Sequence, residues 1–152
     1  MAAIDNDYTS YYRTQLEKSL EYQDFVADKL YEVGISLNCY SSIKYQNEKG
    51  ESRAGIEIKF DDQRKRTGNI YIEYAEKSNP NNKNYVPSGI ERKDNTWLYV
   101  IGDYDVIYIL AKNWLQQFKN LKDIRHVTTA TSKGYLFPET MAIKYSNKII
   151  KC

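Results

Sequence analysis

Two neighbouring segments of strict alternation constrain the fold of this chain most. The segment at 56–61, Ile-Glu-Ile-Lys-Phe-Asp, places apolar side chains on one face of a strand and charged side chains on the other. Residues 69–77 repeat the alternation after a polar loop over 62–68. A hairpin in which residue 57 faces residue 73 keeps both apolar rows on one side of a sheet. The pattern therefore predicts one shared charged face, made of Glu57, Lys59, Asp61, Glu73 and Lys77.

The remainder of the chain mixes helical and extended patterns. Apolar residues at helical spacing predict a helix over 14–33 that ends at Gly34. A strand is predicted over 35–45, a loop over 78–95, and a further strand over 124–129. Residues 96–101 and 104–110 predict a second hairpin. This order indicates an α+β (mixed α/β) fold, and 152 residues suit a single domain, 1–152.

Two local patterns lie in the last third of the chain. Residues 112–120 predict a short helix with Trp114, Leu115 and Phe118 turned inward. Lys133-Gly134 is predicted as a turn, before apolar positions around 135–137 and 141–143.

Scarce histidine and cysteine exclude several kinds of chemistry. His126 is the one histidine, so sites built on several histidines, including most zinc hydrolases, are excluded. Cys39 and Cys152 have no metal-ligand spacing and are too few for a disulfide scaffold. No signal peptide is visible, and the longest apolar runs have the length of strands. We therefore expect a cytoplasmic protein with no membrane partner.

The charged face has two interpretations. As a solvated surface, it is an ordinary row of exposed charges. If another element covers it, several carboxylates share a partly dry site, and this costs free energy unless a cation compensates. Mg²⁺ or Mn²⁺ suits carboxylate and water oxygens. A bound metal ion acidifies a water, and a nearby lysine orients that water or stabilises a phosphate.

Charge is also uneven along the chain. Residues 112–152 carry eight Lys or Arg against Asp123 and Glu139, whereas the remainder carries 14 basic and 18 acidic residues. A basic C-terminal quarter beside an acidic centre suits a polyanion ligand together with cation-binding carboxylates. It equally suits an ordinary surface.

Short segments spread over about residues 21 to 137 form a recognisable set: Glu21, Leu30, Gly34-Ile35, Gly55-Ile-Glu-Ile-Lys-Phe-Asp61, Thr67-Gly-Asn-Ile-Tyr-Ile-Glu73, Pro87-Ser-Gly-Ile90, Thr96-Trp97 and Gly134-Tyr135 through Pro138. In these segments the chain resembles small phage- and mobile-element-type members of the PD-(D/E)XK nuclease superfamily. The resemblance implies a restriction-endonuclease-like α-β-β-β-α-β core, with a central mixed sheet flanked by helices and metal-binding acids on the second and third strands.

The resemblance also implies roles for individual acids. Glu57 or Asp61 stands for the acid of the first motif, Glu73 for the first acid of the second motif, and Glu21 for a helix acid that supports the metal.

The chain departs from the family pattern at two points. No Pro-Asp pair precedes the region, and Ala75 stands where the pattern has lysine. Lys59 or Lys77 then supplies the amine, or Glu57-Ile-Lys59 is itself the acid-x-lysine motif with its partner acid elsewhere. Loss of the lysine is also consistent with an inactive fold.

Basic and hydroxyl side chains are candidates for nucleic-acid contacts. Arg64-Lys65-Arg66 is predicted as a basic loop tip that contacts a phosphate backbone, or as plain surface. Lys112 and Lys119 are predicted as further phosphate contacts. Ser88 follows Pro87 and offers a hydroxyl to phosphate, although a type II turn is the simpler interpretation.

The leading hypothesis is a metal-dependent nuclease that hydrolyses phosphodiester bonds in DNA with Mg²⁺ or Mn²⁺, possible as a homodimer. Glu57, Asp61 and Glu73 hold the metal, and Lys59 or Lys77 assists the water. The alternative is a catalytically inactive protein of the same fold that binds nucleic acid or another protein. A third reading uses the 15 tyrosines as contacts of an interaction module.

Overall fold

The computed structural model describes residues 2–36, 50 and 52–152, and the side chains from residue 10 onward. Four helices are described: α1 (Ala2–Glu32), α2 (Arg64–Thr67), α3 (Lys112–Phe118) and α4 (Glu139–Tyr145), with a 3₁₀ turn at Gly89–Glu91. Eight strands accompany them: β1 (Ile56–Phe60), β2 (Asn69–Glu76), β3 (Val86–Pro87), β4 (Leu98–Gly102), β5 (Val106–Ala111), β6 (Arg125–Thr128), β7 (Ser132–Pro138) and β8 (Lys148–Lys151). The α+β class is therefore confirmed.

The eight strands form two sheets. Sheet A has the order β1-β4-β5-β8 and is mixed, because β1 runs parallel to β4 while the other pairs are antiparallel. Sheet B has the order β3-β2-β7-β6 and is wholly antiparallel. The arrangement thus differs from a single central mixed sheet.

Both faces of sheet A are buried. Helix α1 covers one face, where its Tyr22, Val26 and Leu30 pack against a row that includes Ile58 and Val100. The alternate residues of the same strands, among them Tyr99 and Ile101, pack against sheet B together with α3 and α4. A strand buried on both faces reads as a continuous apolar run, which explains the unbroken Val-Ile-Tyr-Ile-Leu-Ala of β5.

The predicted hairpin between 56–61 and 69–77 is wrong, although both segments are strands. Glu57 pairs with Tyr99 of β4, and Glu73 pairs with Gly134 of β7. The reason is burial: Ile56 and Ile58 complete the core under α1, whereas Ile70 and Ile72 belong to the core between the sheets. The chain crosses from one sheet to the other through α2.

Most of the other predicted elements are confirmed, with shifted bounds. The helix predicted over 14–33 begins earlier, at Ala2, and ends at Glu32. The hairpin of β4 and β5, the helix α3 and the strand β6 are present. The strand predicted over 35–45 falls on residues 37–45, outside the described residues, as does Cys39.

Two local predictions in the last third of the chain are wrong. Trp114 is 47% exposed and stacks on the outer side of Phe118 instead of entering the core. Lys133-Gly134 is not a turn but part of β7. The Tyr71 ring lies so close to Gly134 that a β-carbon there would come within 2.5 Å of it, so this glycine serves a close approach within a strand.

None of the helices in the described part of the chain is both long enough and apolar enough to cross a membrane.

Candidate functional site

A cavity of about 470 Å³ lies between β1 and the neighbouring edge of β2. Because β3 pairs only with Ala75 and Glu76, it leaves the first part of β2 uncovered on that side. Lys59 and Asp61 reach the cavity from the β1 side, and Tyr71 and Glu73 reach it from β2. The structure thus brings three of the predicted site residues, Lys59, Asp61 and Glu73, to one cavity although their strands belong to different sheets.

Glu73 is a carboxylate of the first cavity whose charged form is disfavoured by burial. Burial raises its pKa above the ordinary range, while the positive charge of Lys59 and a hydrogen bond from Ser88 act in the opposite direction. Ser88 Oγ donates that bond to Glu73 Oε2 at 3.0 Å. The predicted hydroxyl of Ser88 therefore serves Glu73, and it is fully buried.

The backbone around Glu73 is held by a glycine. Gly89 has φ +50°, and a β-carbon there would lie 2.1 Å from the carbonyl oxygen of Glu73. Only glycine allows so close an approach in this conformation. The Pro87-Ser88-Gly89 segment therefore fixes both the backbone and the carboxylate of Glu73.

Glu57 does not line the first cavity, although Lys59, two residues later on β1, does. Its Oε1 accepts from Lys59 Nζ at 2.8 Å, and its Oε2 is 3.5 Å from the hydroxyl of Thr96. The carboxylate is 7% exposed whereas the Lys59 side chain is 43% exposed. A buried carboxylate thus restrains an amine that reaches the cavity.

Asp61, which directly follows β1 of sheet A, accepts a hydrogen bond from β2 of sheet B. Its Oδ2 accepts the backbone N–H of Tyr71 at 2.8 Å, and its Oδ1 accepts that of Gln63 at 2.9 Å. Burial nevertheless raises the pKa of Asp61, against the effect of these amides. Each carboxylate oxygen retains a further lone pair, so Asp61 can still bind a cation.

Tyr99 is a site residue that the sequence did not reveal. It is 2% exposed, lines the cavity, and lies opposite Glu57 in the ladder of β1 and β4. Burial and the negative charge of Glu57 raise its pKa, so the phenol stays protonated. Its hydroxyl interacts with the Glu57 carboxylate but makes no hydrogen bond of good geometry among the described residues. A buried donor without a well-formed hydrogen bond marks a place where a ligand atom or water is expected.

A second cavity of about 750 Å³ adjoins the first and shares Tyr11 and Glu73 with it. Lys77 lies here and not in the first cavity; its Nζ donates to the carbonyl of Asn82 at 3.0 Å. Glu76 also lines this cavity and pairs with Arg92 at 2.9 Å. Tyr11 and Glu73 therefore border both cavities, and we call the second cavity the groove.

The helix acid Glu21 is exposed on α1 and does not line either cavity. Its neighbour Tyr22 faces the core under α1, where its hydroxyl donates to the carbonyl of Asp103. Metal binding by Glu21 stays a prediction without a structural argument.

Of the residues predicted to contact phosphate, Arg64 and Lys112 are buried and paired. The Arg64 guanidinium lies 2.8 Å from Asp103 Oδ2 and 2.7 Å from Glu139 Oε1. Lys112 Nζ donates to the carbonyl of Arg92 at 2.7 Å and pairs with Asp94 at 3.3 Å. Neither charge faces solvent, so the predicted phosphate contacts of Arg64 and Lys112 find no support. These cations instead neutralise buried carboxylates.

The other predicted phosphate contacts are more open. Lys65 pairs with Asp105 at the surface, and Arg66 is exposed with a hydrogen bond to Gln63. Lys119 Nζ lies 4.3 Å from the centre of the Tyr74 ring and 3.5 Å from Glu91. Their role toward nucleic acid remains a prediction.

The first cavity offers two carboxylates as ligands for a divalent cation. Among the described residues, no group of three or more His, Cys, Asp or Glu is placed to hold a metal ion. Asp61 and Glu73 nevertheless line the same cavity. Two carboxylates are sufficient for Mg²⁺, which ordinarily keeps several of its waters in protein sites.

Comparisons of the chain with protein-family models, with curated proteins and with solved structures find no significant match.

Proposed function

We propose that this protein hydrolyses phosphodiester bonds in DNA with the help of Mg²⁺ or Mn²⁺. The observation that carries the proposal is the meeting of Lys59, Asp61 and Glu73 at one cavity. Two carboxylates can hold a divalent cation and an ammonium can stabilise a phosphate, so these side chains can support metal-assisted phosphoryl chemistry without histidine or cysteine.

Asp61 and Glu73 are the proposed cation-binding carboxylates. Burial raises the pKa of both, so each charged form is costly in the free protein. A bound cation would offset this cost, and it would supply an acidified water and charge neutralisation at the phosphate.

Lys59 is the proposed amine of the site. It replaces the lysine that is missing at Ala75, because its charge is close enough to Glu73 to lower the pKa of that carboxyl. Glu57 restrains the ammonium through the 2.8 Å contact, which makes Glu57 a positioning residue in this scheme. A fixed ammonium stabilises the negative charge that grows on the phosphate as water attacks phosphorus and the ester bond breaks.

The test is cleavage of supercoiled plasmid and of a short duplex with Mg²⁺, with Mn²⁺ and with EDTA. Wild type is compared with Glu73→Gln and Lys59→Met, and with Asp123→Asn as a matched control at an exposed carboxylate. We expect cation-dependent cleavage that falls about 10²-fold or more in both site variants and is unchanged in the control. Cleavage undiminished by Glu73→Gln would exclude this site.

A second candidate function is nucleic-acid binding without catalysis. It is favoured by the lack of a three-acid metal group among the described residues and by Ala75 after the β2 acid. Fluorescence anisotropy with labelled DNA in EDTA tests it. Binding that needs no divalent cation, together with no cleavage under any of the conditions above, favours this second candidate.

A further inference from the structure

Two lysines contact the same aromatic ring beside the second cavity. Lys77 Nζ lies 4.7 Å from the centre of the Tyr85 ring, and Lys133 Nζ lies 4.6 Å from it. The ring is held in place because its hydroxyl donates to the carbonyl of Thr129 at 2.8 Å. Tyr85 therefore gathers two cations into one small area.

Neither cation is paired with a carboxylate in the described part of the chain. Among the described residues, no carboxylate lies within 4 Å of Lys77 or Lys133, whereas Lys59, Lys65, Lys112 and Lys119 each have one. Lys77 donates instead to a neutral carbonyl, that of Asn82.

The two acids that line the second cavity together with Lys77 already have partners. Glu76 pairs with Arg92, and Glu73 accepts from Ser88. Both lysines are half-buried, so water screens their mutual repulsion less than it would at a fully exposed site. The ring offsets part of this repulsion through cation–π attraction. An anion bound by these ammonium groups would offset the rest.

The position of this cluster relates it to Glu73. Lys77 follows Glu73 by four residues along β2, which corresponds to about 13 Å of extended chain. Lys133 belongs to the partner strand β7, paired with Ala75. Lys77 and Glu73 both line the second cavity. Tyr85 and Lys133 line neither cavity and lie next to the groove through their contacts with Lys77. A chain of phosphates that follows β2 from Glu73 would thus reach Lys77 within about four base pairs.

We propose that Lys77, Tyr85 and Lys133 form a backbone-phosphate subsite that holds the nucleic-acid substrate beside Glu73. This inference rests on the proposed function, because it assigns the polyanion that the groove receives. It also gives Lys77 a binding role, in place of the catalytic role that the sequence predicted.

The test measures binding and cleavage separately. Binding of a labelled DNA duplex is measured by anisotropy over a series of salt concentrations, with Glu73→Gln as the background so that no strand is cut. Lys77→Gln/Lys133→Gln is compared with Lys148→Gln/Lys151→Gln, which removes two exposed lysines from β8 at the far edge of sheet A. Circular dichroism verifies that all variants are folded.

We expect the Lys77/Lys133 pair to weaken binding and to reduce the slope of log K against log salt by about 2, one for each lost phosphate contact. The Lys148/Lys151 pair should leave the slope unchanged. Tyr85→Leu should weaken binding because it removes the ring, whereas Tyr85→Phe keeps the ring and should bind nearly as wild type.

Equal slopes for the two lysine pairs would overturn the subsite. So would a dependence on Lys77 and Lys133 that appears with inorganic phosphate but not with DNA, since the ligand would then be a small anion. Cleavage by the chain with native Glu73 is scored independently. If cleavage is absent but the slope changes as expected, the hydrolytic function fails while the subsite stands.

Discussion

The ammonium of Lys59 lies 2.8 Å from the carboxylate of Glu57, and the two side chains differ sharply in exposure, at 43% and 7%. The acid is buried and the amine is at the mouth of the cavity, so the pair couples the interior of sheet A to the candidate site.

Removing Lys59 should therefore cost stability as well as activity. Lys59→Met leaves the buried Glu57 carboxylate without its cation, which we expect to lower the free energy of unfolding by about 1–3 kcal/mol in urea titrations. Glu57→Gln/Lys59→Met should recover part of that loss in a double-mutant cycle. The exposed pair Lys29–Glu32 provides the comparison, with an expected coupling of about 0.5 kcal/mol or less. Equal coupling energies for the two pairs would contradict this account of Glu57.

Glu73 should make stability fall as pH rises. Burial raises its pKa in the folded protein, so above about pH 4.3 the unfolded chain loses this proton before the folded chain does. The free energy of unfolding therefore falls as pH rises toward the pKa of Glu73 in the folded protein, and it stays lower at higher pH. Glu73→Gln removes this loss of stability, and we expect this variant to match wild type at low pH and to exceed it at neutral pH. Thermal unfolding at both pH values measures the effect; a gain equal at both values would mean that ionisation of Glu73 is not its cause.

The buried hydroxyl of Tyr99 predicts an unusual response to a conservative change. Tyr99→Phe removes a donor that interacts with Glu57 without a hydrogen bond of good geometry among the described residues, so stability should change little. Tyr135→Phe is the matched control, because the Tyr135 hydroxyl donates to the carbonyl of Leu115 at 2.7 Å and its removal should cost about 1–3 kcal/mol. If the Tyr99 hydroxyl serves a ligand in the cavity, cleavage by Tyr99→Phe falls while its stability does not. A loss of stability as large as that of Tyr135→Phe would show that the interaction of Tyr99 with Glu57 is a full structural hydrogen bond.

Arg64 should act as a structural residue and not as a nucleic-acid contact. Arg64→Met leaves Asp103 buried without a cation and should destabilise the fold by about 3–5 kcal/mol. Arg66→Met, two residues later at the exposed end of α2, should change stability by less than about 0.5 kcal/mol. Chemical denaturation of the two variants measures this contrast. A mild effect of Arg64→Met on stability, with a large effect on DNA binding, would restore the predicted phosphate role.

Local patterns in the sequence predicted much of the secondary structure and several site residues. The alternation in 56–61 and 69–77 is sufficient to identify β1 and β2, and three residues of its predicted charged face, Lys59, Asp61 and Glu73, line one cavity. It does not identify their partners, because alternation describes the two faces of a strand and not which strand lies beside it.

Some residues come together only because distant strands pair, and no local sequence pattern predicts them. Tyr99 approaches Glu57 only because β1 pairs with β4, and Lys133 approaches Lys77 and Tyr85 only because β7 pairs with β2. The buried state of Arg64 has the same origin, since its acids Asp103 and Glu139 lie far along the chain. Nothing in the sequence distinguishes the cations of Arg64-Lys65-Arg66. In the folded protein Arg64 is buried and paired, whereas Lys65 and Arg66 are exposed.

The sequence by itself determined the α+β class, the positions of the main strands, and which carboxylates and lysine are candidates for a site without histidine. Tertiary structure decided that β1 and β2 lie in different sheets, that Glu57 is buried beside the more exposed Lys59, and that Glu73 and Lys77 both line the groove. The physical reason is that strand periodicity is a local property of the chain, whereas sheet partners are selected by which apolar faces can be buried together.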